Sequence, residues 1–158
     1  MMKNYLILIC LMFGGTYLSA QTEFGVKGGL NITFFKVDEG KFGNNPETEI
    51  GYYGGIFVDF KIDNGFHFQP ELLYKGVGDY EFINAPMYLK YDIIYNFHIL
   101  IGPSLNYFPD FLNRKFKVRA DLSLDYDFLS NLSAHMKYTI GFEELSPNIL
   151  FLGLALKL

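Results

Sequence analysis

The sequence predicts an all-β fold, an eight-stranded antiparallel up-and-down transmembrane β-barrel, on three observations. Beyond residue 20 the chain alternates apolar and polar residues with the period of two that marks strands, and no segment carries a helical period. The aromatic content is 18%, all Phe and Tyr without Trp, which suits pleated surfaces. One face of every predicted strand is free of charge, although 19% of the chain is charged.

The elements follow in order. Lys3, the apolar run 5–13 and the small residues ending at Ala20 read as a secretory signal over residues 1–20, leaving 21–158 as one barrel domain. That apolar run is too short to cross about 30 Å of hydrocarbon as a helix. Cys10, the one cysteine, leaves with the signal, so the exported chain is expected to hold no disulfide and no thiolate metal site.

Eight apolar rows then take every second residue of 24–34, 50–62, 66–76, 83–93, 97–107, 116–126, 132–140 and 150–158. Together they hold 47 residues with no Asp, Glu, Lys, Arg or His, where a random draw at 19% charge would hold about nine. Asp63-Asn64-Gly65, Tyr95-Asn96 and the stretch 128–131 are predicted tight turns. The alternate connections, 35–49, 77–82, 108–115 and 141–148, are mostly longer. Short turns at one end and longer loops at the other match the parity of an outer-membrane barrel.

Alternation alone also fits a soluble ligand-binding barrel with its apolar rows inside. The composition of the polar face argues against that alternative. It carries Gly25, Gly29, Gly51, Gly55, Gly102, Gly141 and Gly153 with several serines, as a crowded narrow lumen requires. Its eight positive and six negative residues nearly balance, as groups held out of water must. The formal net charge of −4 argues against a basic nucleic-acid interface, so no nucleic-acid partner is expected.

Several short motifs carry a family resemblance across the chain. Residues 24–31 (FGVKGGLN), 69–74 (QPELLY), 86–91 (PMYLKY) and Gly102-Pro103 resemble the PorT-like outer-membrane β-barrel family of Bacteroidetes. The resemblance implies an eight-stranded barrel similar in architecture to OmpA and OmpX, located in the cell outer membrane. The ending Gly153-Leu154-Ala155-Leu156-Lys157-Leu158 resembles the C-terminal signal read by barrel assembly machinery, with Leu158 where Phe is usual. The expected partners are therefore outer-membrane lipid and that machinery.

For chemistry, the residues point to a lumen network rather than an active site. Glu71 and Lys90, on neighbouring strands and facing inward, are expected to pair near the barrel middle alongside Arg119 and Asp121, in a structural role. His67, His98 and His135 lie on separate inward rows without metal-ligand spacing and are expected to be packed lumen residues. Ser133 and His135 sit two apart on one face, a pattern that outer-membrane lipases use, but here they follow a tight turn at the wrong end for outer-leaflet lipid. No cofactor, metal or catalytic residue is expected. The outer connections carry nine acidic and four basic residues, read as a solvated rim. An eight-stranded barrel is just wide enough to be filled by its own side chains. The expected function is thus a non-enzymatic structural or interaction barrel. The alternatives are a narrow channel for ions or small solutes and, further off, a secretion accessory or a lipid-modifying enzyme.

Overall fold

In a computed structural model, the described residues are 22–34, 48–77, 80–109, 115–141 and 148–158. The predicted signal over 1–20 and most of the outer connections lie outside them. Eight strands are present: β1 (Thr22–Phe34), β2 (Thr48–Asp63), β3 (Phe66–Val77), β4 (Tyr80–Ile94), β5 (Phe97–Tyr107), β6 (Phe116–Asp127), β7 (Leu132–Ile140) and β8 (Asn148–Lys157). Each pairs antiparallel with the next, and β1 pairs with β8, so the sheet closes as a barrel with no free edge. Closure matters in lipid, where every backbone polar group must be satisfied internally.

Alternation decides which side chains face out. Along β1, Phe24, Val26 and Leu30 are exposed while Gly25, Lys27, Asn31 and Thr33 are buried. The same phase holds around the barrel, as predicted for all eight rows. Glu81, at the outer end of β4, is a charged residue on this outer face that the predicted rows did not include, and it pairs with Gly76 of β3.

The outer face is also graded along the barrel axis. At the end of the tight turns it carries Phe24, Phe60, Phe66, Phe68, Tyr91, Phe97 and Tyr126; toward the other end it carries Phe34, Tyr52, Tyr74, Tyr107, Phe116 and Tyr138. Between the two aromatic bands the row residues are mainly Ile, Leu, Val and Met. Neighbouring rings touch across strands, Phe66 with Tyr91 and Tyr107 with Phe116, with centroids 4.8 and 4.9 Å apart. Two aromatic girdles flanking an aliphatic belt are the outer surface of a membrane barrel. Leu122→Arg, in the middle of this belt, is therefore expected to destabilise the barrel by about 2–4 kcal/mol, and Phe24→Arg at its margin by about 1 kcal/mol or less. Urea unfolding in lipid vesicles measures both.

The turns follow their sequence signals. At β2–β3, Gly65 takes a φ of 81°, which its missing Cβ permits, and the Asp63 carboxylate accepts the Asn64 N–H at 2.7 Å. The predicted outer connection 77–82 proves much shorter: Val77 already pairs with Tyr80, leaving 78–79 between the strands. The reason is that residues 80–82 continue the alternation of β4, with Phe82 turned inward and buried at 5% exposure.

Three prolines sit inside a closed sheet, where none can hide on an edge. Their pairing ladders are interrupted there: from Phe57↔Glu71 to Phe60↔Phe68, from Pro70↔Met87 to Leu73↔Asn84, and from Pro86↔Ser104 to Leu89↔Ile101. Pro70, Pro86 and Pro103 each lack the N–H that a ladder needs. The gaps fall side by side across β2 to β5 at mid-barrel.

Candidate functional site

The inward rows fill the lumen in tiers, and each tier has its own chemistry. At the end of the tight turns lies an open cavity of about 440 Å³, lined by Glu23, His67, Lys90, Asp92, His98, Asp127 and Lys157 together with turn residues. Its charged groups form one chain. Lys90 Nζ donates to Asp59 at 2.7 Å, and the other Asp59 oxygen meets His67 Nδ1 at 2.6 Å. His67 Nε2 lies 3.3 Å from Asp92, whose second oxygen is 2.6 Å from His98 Nδ1. His98 Nε2 lies 3.3 Å from Asp127, which also accepts from Lys157 Nζ at 3.3 Å. Lys157 ends the chain on Glu23 at 3.4 Å.

Deeper in, the space among the described residues narrows. Behind the cavity lies a void of only about 10 Å³, between Lys27, Phe57, Gln69, Asp125 and their neighbours. Lys27 Nζ donates to Glu71 Oε1 at 2.5 Å and stands 3.9 Å from Asp125. Gln69 donates to the same Glu71 oxygen at 2.8 Å, and the Ser123 hydroxyl donates to Asp125 at 2.7 Å. The Tyr53 hydroxyl is hydrogen-bonded to His135 Nε2.

The next tier mixes ions with a dry cluster. Asp121, 1% exposed, accepts from Tyr88 at 3.1 Å and Ser104 at 2.9 Å and stands 3.7 Å from Lys137. Lys137 also donates to Asn84, which donates to Asn106. Beside them Tyr53, Leu73, Phe82, Ile149 and Phe151 form an apolar cluster inside the barrel, with Phe108 packed against it. Lys75 Nζ lies 3.7 Å from the Phe151 ring centre, and Arg119 lies 5.3 Å from that of Phe108. Such cation–π contacts hold cations in a site with few acceptors.

All four residues expected to form the lumen network are therefore inside: Glu71, Lys90, Arg119 and Asp121 are 5%, 5%, 1% and 1% exposed. The expected Glu71–Lys90 pair does not form. Glu71 takes Lys27 and Lys90 takes Asp59, each partner lying two strands away. Lys27 can cross β2 because its paired residue there is Gly55, which offers no side chain to block the reach. His135 binds Tyr53, so Ser133 and His135, both buried at 5%, make no hydroxyl–imidazole pair. Among the described residues, no three His, Cys, Asp or Glu side chains converge as metal ligands.

Two features escaped the sequence reading. The apolar cluster was hidden because Tyr53, Leu73, Ile149 and Phe151 alternate with the rows read as apolar and Phe82 lies in a stretch read as a connection; the available signal was large residues such as Tyr53 and Phe151 sharing a row with glycines. The His67–Asp92–His98 chain was hidden because its members are on three strands, and only the pairing of His67 with Lys90 and of Asp92 with His98 brings them together.

Comparison with known proteins agrees with this architecture. The family described as "Outer membrane protein beta-barrel domain" matches residues 19–81, covering β1 to β3 and the start of β4. No curated protein matches the sequence. A de novo designed transmembrane β-barrel superposes with a TM-score of 0.58 at 13% identity, over 86% of this chain and 95% of the other. Ail, the attachment invasion locus protein of Yersinia pestis, solved with the heparin analogue sucrose octasulfate, gives 0.57 at 12% identity, over 87% and 99%. Neisserial surface protein A gives 0.51 at 14% identity, over 87% and 98%. At these identities the likenesses speak for fold. With the girdled apolar surface and the family match over its first strands, the protein is a closed eight-stranded antiparallel β-barrel of the outer membrane.

Proposed function

We propose that this barrel is a non-enzymatic structural or interaction protein whose lumen is a packed core rather than a conduit. The observation that carries the reading is the change from an open cavity of about 440 Å³ at one end to a void of about 10 Å³ behind it. Around and beyond that void, Leu73, Tyr88, Leu100 and Phe151 are each 0% exposed on the inward face. A side chain that leaves no room for water leaves no path for a hydrated ion. The Ser133 and His135 arrangement supports no acyl transfer, since nucleophile activation needs the hydroxyl on the imidazole. The motifs at 24–31, 69–74 and 86–91 support placement near the PorT-like barrels, a resemblance that bears on architecture and carries no secretion role.

Purified protein in planar lipid bilayers tests the reading against the narrow-channel alternative. Seals without discrete conductance steps are expected across the voltage range. Steady unitary conductance that Leu100→Ala enlarges would overturn the packed-core reading in favour of a channel.

A further inference from the structure

The chain of charges at the turn end of the barrel has a property that none of its members has alone. His67 presents Nδ1 to Asp59 and Nε2 to Asp92, and His98 presents Nδ1 to Asp92 and Nε2 to Asp127. A neutral imidazole has one donor nitrogen and one acceptor nitrogen, whereas a carboxylate only accepts. All four contacts are hydrogen bonds only when each ring carries a proton on both nitrogens.

Charge balance gives the same answer independently. The eight linked groups are Lys90, His67, His98 and Lys157 against Asp59, Asp92, Asp127 and Glu23, four and four when both rings are charged. The flanking groups cancel too: Lys61 pairs with His67 in the register and Asp125 with His98. Deeper in, Lys27 is engaged by Glu71. Loss of the two ring protons would leave the linked set at −2, with two ring lone pairs facing carboxylate oxygens.

We propose that the turn-side rim is a proton-dependent clasp, in which doubly protonated His67 and His98 tie Asp59, Asp92 and Asp127 together across β2 to β6. The clasp is closed while the rings hold their protons and opens as pH rises and they are lost. Histidine is the side chain suited to such a change between about pH 5 and pH 8. The device is local, because the next tier inward is held by Lys27 and Glu71, which need no histidine. Opening widens the cavity mouth and frees the turns at Gly65 and Asn96, and this holds whether or not the lumen conducts.

Two backbone amides report on it directly. Asp92 N–H donates to the Gly65 carbonyl and Asp127 N–H to the Asn96 carbonyl, both at 2.9 Å. With the full chain in lipid nanodiscs, ¹⁵N ring signals of His67 and His98 should show both nitrogens protonated at about pH 6 and the protons lost on going to about pH 9. Over that range, exchange of the Asp92 and Asp127 amides, corrected for the intrinsic rate, should rise about tenfold or more, while the Leu73 amide stays unchanged. In the His67→Gln, His98→Gln double variant the pH response of the rim amides should disappear. Singly protonated rings at pH 6, or the same response in the double variant, would overturn the proposal. Should the double variant fail to fold, the ring signals of the unaltered protein decide the question alone.

Discussion

Lys27→Met is expected to destabilise the barrel by about 3–5 kcal/mol, the cost of removing one partner from a buried ion pair. Lys27 and Glu71 are 6% and 5% exposed, and their contact is 2.5 Å. The ammonium also stands 3.9 Å from Asp125, so its loss takes from both carboxylates the cation they share. Gln69 still donates to Glu71 Oε1, but Glu71 Oε2 has no hydrogen-bond partner among the described residues, so no second donor takes the place of the ammonium. The double variant Lys27→Met, Glu71→Leu should recover part of that loss, because Glu71 no longer carries a stranded charge while Asp125 keeps only the Ser123 hydroxyl as its donor. Equilibrium urea unfolding in vesicles measures both, at low and high salt. Little salt dependence is expected for a pair held away from solvent. A single-variant loss below about 1 kcal/mol would place this pair with the weak ones of exposed surfaces.

The second large effect belongs to the glycines that let the sheet close. A Cβ at Gly102 would stand 1.9 Å from the Met87 carbonyl oxygen, and one at Gly55 would stand 2.0 Å from that of Leu72. These contacts are with backbone, which cannot rotate away, and they arise because the strands curl tightly around a narrow lumen. Gly102→Val is therefore expected to cost at least the upper end of the usual overpacking range, about 3 kcal/mol, or to prevent closure. Gly54→Ala is the matched control: it faces outward, and its nearest neighbour to a new Cβ is 4.0 Å away. It should fold like the parent protein. The fraction of barrel resisting unfolding in cold detergent, read on a gel, separates the two. Equal yields for Gly102→Val and the parent would show that the curl does not depend on that glycine.

These predictions lean unequally on sequence and structure. All eight strands, their inward and outward phases and the three tight turns were legible because the period of two is local: each residue's face follows from its neighbour's. The charge-free rows marked the lipid side for the same reason. Even the error at 77–82 was one of extent, since Phe82 keeps the alternation of β4.

What the alternation could not show is who meets whom across the lumen. Placing Glu71 and Lys90 together assumed that adjacent strands supply adjacent partners. In a narrow barrel a lysine spans the strand beside it, so Lys27 reaches Glu71 over Gly55, and Lys90 reaches Asp59 over β3. The histidines likewise acquire their carboxylates from β2, β4 and β6, fixed by register rather than by spacing.

The sequence by itself thus determined the fold, the strand count and the face each residue presents, because these depend on local pattern and chain parity. Tertiary structure alone decided the ion pairs, the apolar cluster around Phe151 and the histidine–carboxylate chain at the rim. Those depend on the radius and register of the closed sheet, which bring residues tens of positions apart within hydrogen-bonding distance.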